Sequence, residues 1–542
     1  MSCNYVDEIL CPEPCRAFDS DKLADTMTHN VSSSQAPHWR PNPAHNPVRI
    51  RRNDWSVLRP PDTATWTPHL TVSIVIPAYG GQEKLDIVLA ALAAQDYPED
   101  LTEVIVVDDH SDPALELSRP HPANTTIILS DDANWGSAHA VNSGVRRAEG
   151  DIVLRLDADM LVFHDHVSAH MRYHHAADNL VVLGHKRFVD WKPGTFEAQQ
   201  VTDAVSSGKA NELFDTAMSE PHWIEGYISD HDDLRYGTSD LFRVFTGATG
   251  SLPRTLYNDV GGFDGDMKLG SDTEFGYRLN QAGAVFIPES NSSSWHLGMG
   301  QMKTARKAGQ QQRLPFLTQR IPLYRQRRLA PARNWRVPLV DVIVEYRDNM
   351  KISQVDKLLA PLLGGSVPDI RVHLINPAEA TDTPRGKVLD AKGGHWPLVR
   401  ELYAAEPRVV LGRTEPDVDP AVPFRLHWHE GRTGLDSIRF LFERMEADRL
   451  GLLTTGGAVQ VRMERQAAFA RARQYEPHDL DSEVNRVWGH ANIYTSDFNL
   501  CPTVFDPNAG GHDSLPRRAI RRLFSARQRR WLKRNLNRLR GR

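Results

Sequence analysis

The chain has 542 residues, of which 40% are hydrophobic and 25% charged, enough for two or three packed domains and unlike a disordered or fibrous chain. No apolar run approaches the ~20 residues of a membrane-spanning helix, and Met1 to Leu10 lacks a basic patch followed by an apolar core, so no secretion signal is expected. Four cysteines (Cys3, Cys11, Cys15, Cys501) are too few to staple the chain and fit a reduced, cytoplasmic setting. The net charge of −5 is uneven: Arg517 to Arg542 carries 12 Lys and Arg and no acid, leaving 52 basic against 69 acidic residues, about −17, on the remainder. A net-acidic body argues against nucleic acid as a partner.

Residues 1–68, rich in Pro, His, Asn and Ser, read as an irregular leader that packs through Trp55 and Trp66. Strand–helix alternation then begins and sets a first domain over 69–330. Val72 to Ile76, Val104 to Val107 and Ile152 to Leu156 are short, nearly all-apolar runs, as expected of parallel strands covered on both faces. Helices are predicted between and after them, over Lys84 to Ala94, Val141 to Ala148 and Asp272 to Ala282; in the last, Glu274 and Arg278 are spaced to pair. A second α/β pattern over 337–505 repeats the order: strand Val340 to Val344, a helical stretch to Leu363, Pro368-Asp369, and strand Ile370 to Ile375. It reads as a degenerate copy of the first unit that lacks the acidic pairs, and so as an accessory domain. Residues 514–542 form a basic amphipathic tail with Ile520, Leu523, Phe524, Trp531, Leu532, Leu536 and Leu539 on one face. Such a helix suits either the surface of an anionic membrane, through 516–542, or docking on the body.

The chemistry gathers at strand ends. The first strand ends in Pro77-Ala78-Tyr79, the second in Asp108-Asp109, the third in Asp157-Ala158-Asp159. In a parallel sheet these ends share one edge, where ligands bind. Carboxylates crowded there repel one another unless a cation or a hydrogen-bonding ligand sits among them. His166, His170 and His174 lie four apart on one helix face without an acidic partner, and packing or exposed imidazoles, rather than a metal site, are expected.

The ordered set Ser73 to Tyr79, Val106 to Ser111, Asn134-Trp135-Gly136 with Asn142 and Gly144, Leu156 to Asp159, Gly261 to Asp264 and Asp272 to Leu279 resembles family 2 glycosyltransferases of the GT-A fold. The whole layout resembles large actinobacterial members with an extra C-terminal domain. The resemblance implies a Rossmann-like, mostly parallel doubly wound sheet. It implies Mg²⁺ or Mn²⁺ on Asp159, with His296 as a further ligand, and a donor role for Asp157. It places the nucleotide base at Asp108 or Asp109 beside Pro77, Ala78 and Tyr79, with Asn134, Gly136 and Asn142 completing the donor site. The general base is Asp272, with Glu274 in reserve; Ser271 stands where the family has an acidic residue. The expected reaction is inverting transfer from a nucleoside-diphosphate sugar to a hydroxyl of a glycan or lipid-linked acceptor at the cell envelope, in the cytoplasm or on the inner face of the membrane. A second copy of the chain is a candidate partner. The rivals are a sugar-phosphate nucleotidyltransferase, disfavoured because Tyr79 to Lys84 is too acidic for a triphosphate loop, and a non-catalytic nucleotide-sugar-binding scaffold.

Overall fold

The computed structural model describes residues 48–299, 305–325, 334–347, 350–377, 395–457, 459–475 and 477–494. The cysteines, residues 1–47 and the basic tail lie outside them.

The first unit is built on β1 (Val72–Ala78), α1 (Gln82–Leu92), β2 (Thr102–Asp108), β3 (Thr125–Leu129), α2 (Ser137–Arg147) and β4 (Ile152–Leu156). It continues through β5 (Met160–Val162), α3 (His166–His174), β6 (Leu180–Gly184), β7 (Arg187–Val189), α4 (Ala198–Ser206), β8 (Glu220–Pro221) and α5 (Trp223–Asp230). It ends with β9 (Thr249–Pro253), α6 (Arg254–Asp259), α7 (Ser271–Gln281), β10 (Val285–Glu289), β11 (Ser294–Leu297) and α8 (Arg306–Arg320). Seven strands form the main sheet in the order β10-β6-β9-β4-β1-β2-β3, parallel except for β9. β1 and β4 are apolar because both faces are covered, by α1 on one side and α2 on the other. Gly144 lets α2 approach closely, since a Cβ there would stand 2.5 Å from Val75 and 2.8 Å from Val107. A small sheet, β5-β11-β7-β8, stands beside the main one; its strands are too short for the sequence pattern to reveal.

The second unit runs β12 (Val340–Glu345), α9 (Ile352–Leu363), β13 (Ile370–Ile375), α10 (Trp396–Tyr403), β14 (Val409–Gly412), β15 (Phe424–Glu430) and α11 (Ser437–Ala447). It closes with β16 (Leu452–Gly456), β17 (Gln460–Arg465), α12 (Gln466–Arg473), α13 (Leu480–Val487) and β18 (His490–Tyr494). Its sheet order is β14-β13-β12-β15-β17-β16-β18, with only β17 antiparallel to its neighbours. Counted by order of appearance, both large sheets read 3-2-1-4-6-5-7 with the same strand directions, so the repeat suspected in the sequence extends to the whole sheet. The registers match as well: Val72 faces Thr102 and Ile152, and Val340 faces Ile370 and Phe424. Counting on from those pairs, Asn376 and Pro377 stand where the first unit has Asp108 and Asp109. His429 and Gly431 stand where it has Asp157 and Asp159.

The units are riveted together. Arg471 of α12 is buried and donates to the carbonyls of Ala284 (2.9 Å), Ile50 (3.2 Å), Arg52 (3.2 Å) and Gly283. Tyr277 Oη donates to the Ala421 carbonyl at 2.6 Å. Residues 48–58, expected to be irregular, thread between the two. Asn53 exchanges two 2.8 Å hydrogen bonds with the Phe286 backbone, and the Arg52 amide donates to the Val487 carbonyl at 2.7 Å. Trp55 packs edge-on to Tyr173 and Trp66 edge-on to His175.

Candidate functional site

β1, β2 and β4 end side by side, and the Asp109 amide donates to the Ala78 carbonyl at 2.9 Å. The adjacent acids divide the work. Asp108 is buried, and its two oxygens accept from the amides of Ser111 (2.8 Å) and Leu115 (3.0 Å). Burial pushes its carboxyl up, but hydrogen bonds from Ser111 and Leu115 outweigh it and hold the group below the usual range. Asp108 thus shapes the loop. Asp109 is half-buried and accepts from Ser130 Oγ (2.8 Å) and the Gly136 amide (2.7 Å), which fixes the loop before α2. Pro77 is partly covered and Ala78 buried, while Tyr79 and Trp135 are exposed.

Asn134 donates to the Gly265 carbonyl at 3.0 Å, and Lys268 donates to Asn134 Oδ1 while its ammonium lies 4.5 Å from the Trp135 ring centre. Asn142 is a clamp on a second loop. Its Oδ1 accepts from the Phe263 amide (2.9 Å) and Tyr257 Oη (2.5 Å), and its Nδ2 donates to the Phe263 carbonyl (2.8 Å). Asn134 and Asn142 therefore join the loop 261–268 to α2.

The acidic centre is organised by Arg155, a buried arginine in the middle of β4. It donates to Asp272 Oδ1, to Asp157 Oδ1 at 3.2 Å and to Ser137 Oγ at 2.9 Å, with its guanidinium 5.1 Å from the Phe263 ring centre. Gly247 backs onto it, and any Cβ there would collide with the guanidinium. Burial would lower the arginine's pKa, but Asp272 and Asp157 raise it above its ordinary value. Burial raises the Asp157 carboxyl, opposed by Arg155 and reinforced by Asp159 and Asp272. Asp272 sits in the first turn of α7, whereas Glu274 is buried and held by Arg278 at 2.7 and 2.6 Å, so the reserve base is committed to that pair.

Asp159 meets His296 and Lys84. His296 Nε2 is 3.6 Å from Asp159 Oδ1, and Lys84 Nζ is 3.5 Å from Asp159 Oδ2 while donating to the Leu297 carbonyl at 2.6 Å. The pairing follows from the small sheet, where β11 sets His296 opposite Met160 of β5. The other ring nitrogen, Nδ1, is 3.2 Å from the Gly298 carbonyl, which can only accept. Nδ1 then carries a proton, and in the neutral ring the Nε2 lone pair would face Asp159, the arrangement a metal-ligating histidine needs. Among the described residues no group of three or more His, Cys, Asp or Glu is set to hold a metal. Asp159 and His296 could hold a divalent cation, which would have its remaining positions filled by substrate oxygens and water.

His166, His170 and His174 are elsewhere, buried under β9. Nitrogens of His166 and His170 lie 2.9 and 3.2 Å from Thr249 Oγ1, and nitrogens of His170 and His174 lie 2.8 and 2.7 Å from Ser251 Oγ. Packing is their role. Sequence reasoning missed Arg155, Lys84 and Lys186; only for Arg155 was there a signal, a charge inside an apolar strand run, because a buried charge needs hydrogen-bonding partners.

The fold is thus a mixed α/β domain whose parallel strands present acids at one carboxyl edge. Residues 73–235 match the model of the family described as glycosyl transferase family 2. The chain carries a family 2 glycosyltransferase domain. It is similar to the chondroitin synthase of Escherichia coli, 25% identical over 62% of this chain and 49% of that one. It is similar to the hyaluronan synthase of Pasteurella multocida, 26% identical over 63% of this chain and 35% of that one. It is also similar to the uncharacterized glycosyltransferase YfnE of Bacillus subtilis, 29% identical over 40% of this chain and 62% of that one. The chain therefore spans between about a third and three fifths of the length of these relatives.

Proposed function

We propose that this protein is an inverting, metal-dependent glycosyltransferase that moves a sugar from a nucleoside-diphosphate donor to a glycan hydroxyl. The observation that carries the reading is the coupling of Asp157 and Asp272 through Arg155, beside an Asp159–His296 pair 3.6 Å apart. Tyr79 and Asp109 border the end that receives the base. Asp159 and His296 would hold a divalent cation, which when bound neutralises charge on the departing diphosphate. Lys84 adds positive charge on the same side. Asp272, with its side chain 35% exposed, accepts the proton of the attacking hydroxyl, and Arg155 keeps its carboxylate aimed at the cleft. Among the described residues Asp157 is tied to Arg155 and Glu274 to Arg278, so neither stands as a free nucleophile, which favours single displacement. The names of the chondroitin and hyaluronan synthases support a glycan acceptor. The second unit, with Asn376, Pro377, His429 and Gly431 in the places of Asp108, Asp109, Asp157 and Asp159, serves as a non-catalytic partner domain. The basic segment 516–542 would bring the enzyme to an anionic membrane from the cytoplasmic side. Among the described residues no helix is long and apolar enough to cross one. Liposome sedimentation unchanged by deleting 516–542 would remove that last element.

The test is calorimetric binding of UDP-, GDP- and dTDP-sugars with Mn²⁺, followed by turnover. Asp159→Ala should lose Mn²⁺-dependent donor binding. Asp272→Asn should bind donor as before and lose about 10²–10⁴ in turnover. Normal turnover by Asp272→Asn would overturn the base assignment, and metal-independent binding by the intact protein would overturn the metal.

A further inference from the structure

Lys186 has no part in the chemistry above, yet it lies against it. It follows β6, is 1% exposed, and its ammonium has no hydrogen-bond partner. Burial lowers its pKa to about 8, while the carboxylates of Glu225, Asp157 and Asp272 act to raise it. Two more buried atoms are also without partners: Glu225 Oε1 on α5 and Thr246 Oγ1 just before β9. Topology gathers these residues. β9 lies between β4 and β6 and runs opposite to both, so the residues that precede it meet those that follow β4 and β6. The Asp157 amide accordingly donates to the Ala248 carbonyl at 3.0 Å. Glu225 Oε2 stands 3.8 Å from His185 Nε2, the residue before Lys186.

Orphaned polar groups in a folded interior are costly and cluster where a ligand completes them. The chemistry of the set selects the ligand. An ammonium only donates and a carboxylate only accepts. A phosphate would satisfy Lys186 and be repelled by Glu225, whereas sugar hydroxyls both donate and accept. The position agrees: the base-binding end is at β1 and β2, the acidic centre at β4, and these side chains lie beyond it, towards β6. The walled-in Lys186 suits the ring that is bound deepest, while the acceptor approaches from solvent past Asp272.

We propose that Lys186, Glu225 and Thr246 form the subsite that recognises the hydroxyls of the transferred sugar ring. This rests on the glycosyltransferase reading. The test titrates the full chain with Mn²⁺ and two classes of probe: free UDP, GDP and dTDP, and UDP-glucose, UDP-N-acetylglucosamine, GDP-mannose and dTDP-glucose. Lys186→Met and Glu225→Gln should bind the free nucleotide within about twofold of the unmodified protein and the matching nucleotide sugar about tenfold or more weakly. Lys186→Met should also melt no lower than the unmodified protein, because it removes an unpaired buried charge. Should it fail to fold, Glu225→Gln carries the same comparison. Parallel weakening of nucleotide and nucleotide sugar would assign Lys186 to the diphosphate and overturn the subsite, as would affinities unchanged for both. An unmodified protein that binds no nucleotide in either form would remove the parent reading, and the subsite with it.

Discussion

Arg155 holds three partners from inside a strand that is otherwise apolar, and that makes it the most exacting position in the site. A lysine has the charge but not the planar fork that lets one side chain hold Asp157, Ser137 and Asp272 together. Arg155→Lys is expected to keep the fold and lose about 10²-fold in turnover through misplacement of Asp272. Steady-state rates at saturating donor would check this, and wild-type turnover would show that the bridge is dispensable. At this scale residue type and order singled out Asp157, Asp159 and Asp272, and the structure brings these three acids together beside Arg155. The sequence was silent on how Asp108 and Asp109 divide, because neighbours on a strand end diverge according to which loop amides lie nearby. Glu274 pairs with Arg278, as their spacing suggested, and Asn142 binds Phe263 and Tyr257.

Helix α3 stacks three histidines against β9, and burial lowers all of them from 6.5, His166 to about 4, His174 to about 3 and His170 well below its ordinary value. The folded protein refuses protons that the unfolded chain takes up below pH 6.5. Stability is therefore full above that pH and falls as pH drops from 6.5 towards 4, by up to about 1.4 kcal/mol per pH unit per histidine. The thermal midpoint should fall steeply between pH 7 and pH 5, and His170→Gln should flatten the slope; a midpoint constant over that range would refute this. Helix α12 poses a different problem. Burial lowers the Arg471 pKa to about 10, and its partners are carbonyls rather than carboxylates. Arg471→Met strands those carbonyls and should cost about 3 kcal/mol or more; a melting curve within 1 °C of the unmodified protein would contradict it.

Across the whole molecule, the α/β class and the largely parallel sheets were readable because strands buried on both faces are apolar throughout. The Ile370 to Ile375 strand appears at its expected limits. The start of the repeat was visible for the same reason, as two copies of one strand–helix–strand order. Its full extent was not, because β16, β17 and β18 carry polar or charged residues among their apolar ones and lose the pattern. The small sheet escaped notice because strands of two to four residues have no period to detect, and with it went the reason that His296 reaches Asp159.

The thread formed by residues 48–58 has a practical corollary for anyone who wants to express the donor-binding half alone. Starting a fragment at His69, where strand–helix alternation begins, would strip Asn53 from Phe286 and uncover Val285 and Ile287, which cluster with Ile50. A fragment from Val48 to Arg325 should be recovered soluble in higher yield than one from His69 to Arg325. Equal yields would mean that residues 48–68, the thread among them, are passengers rather than part of the scaffold.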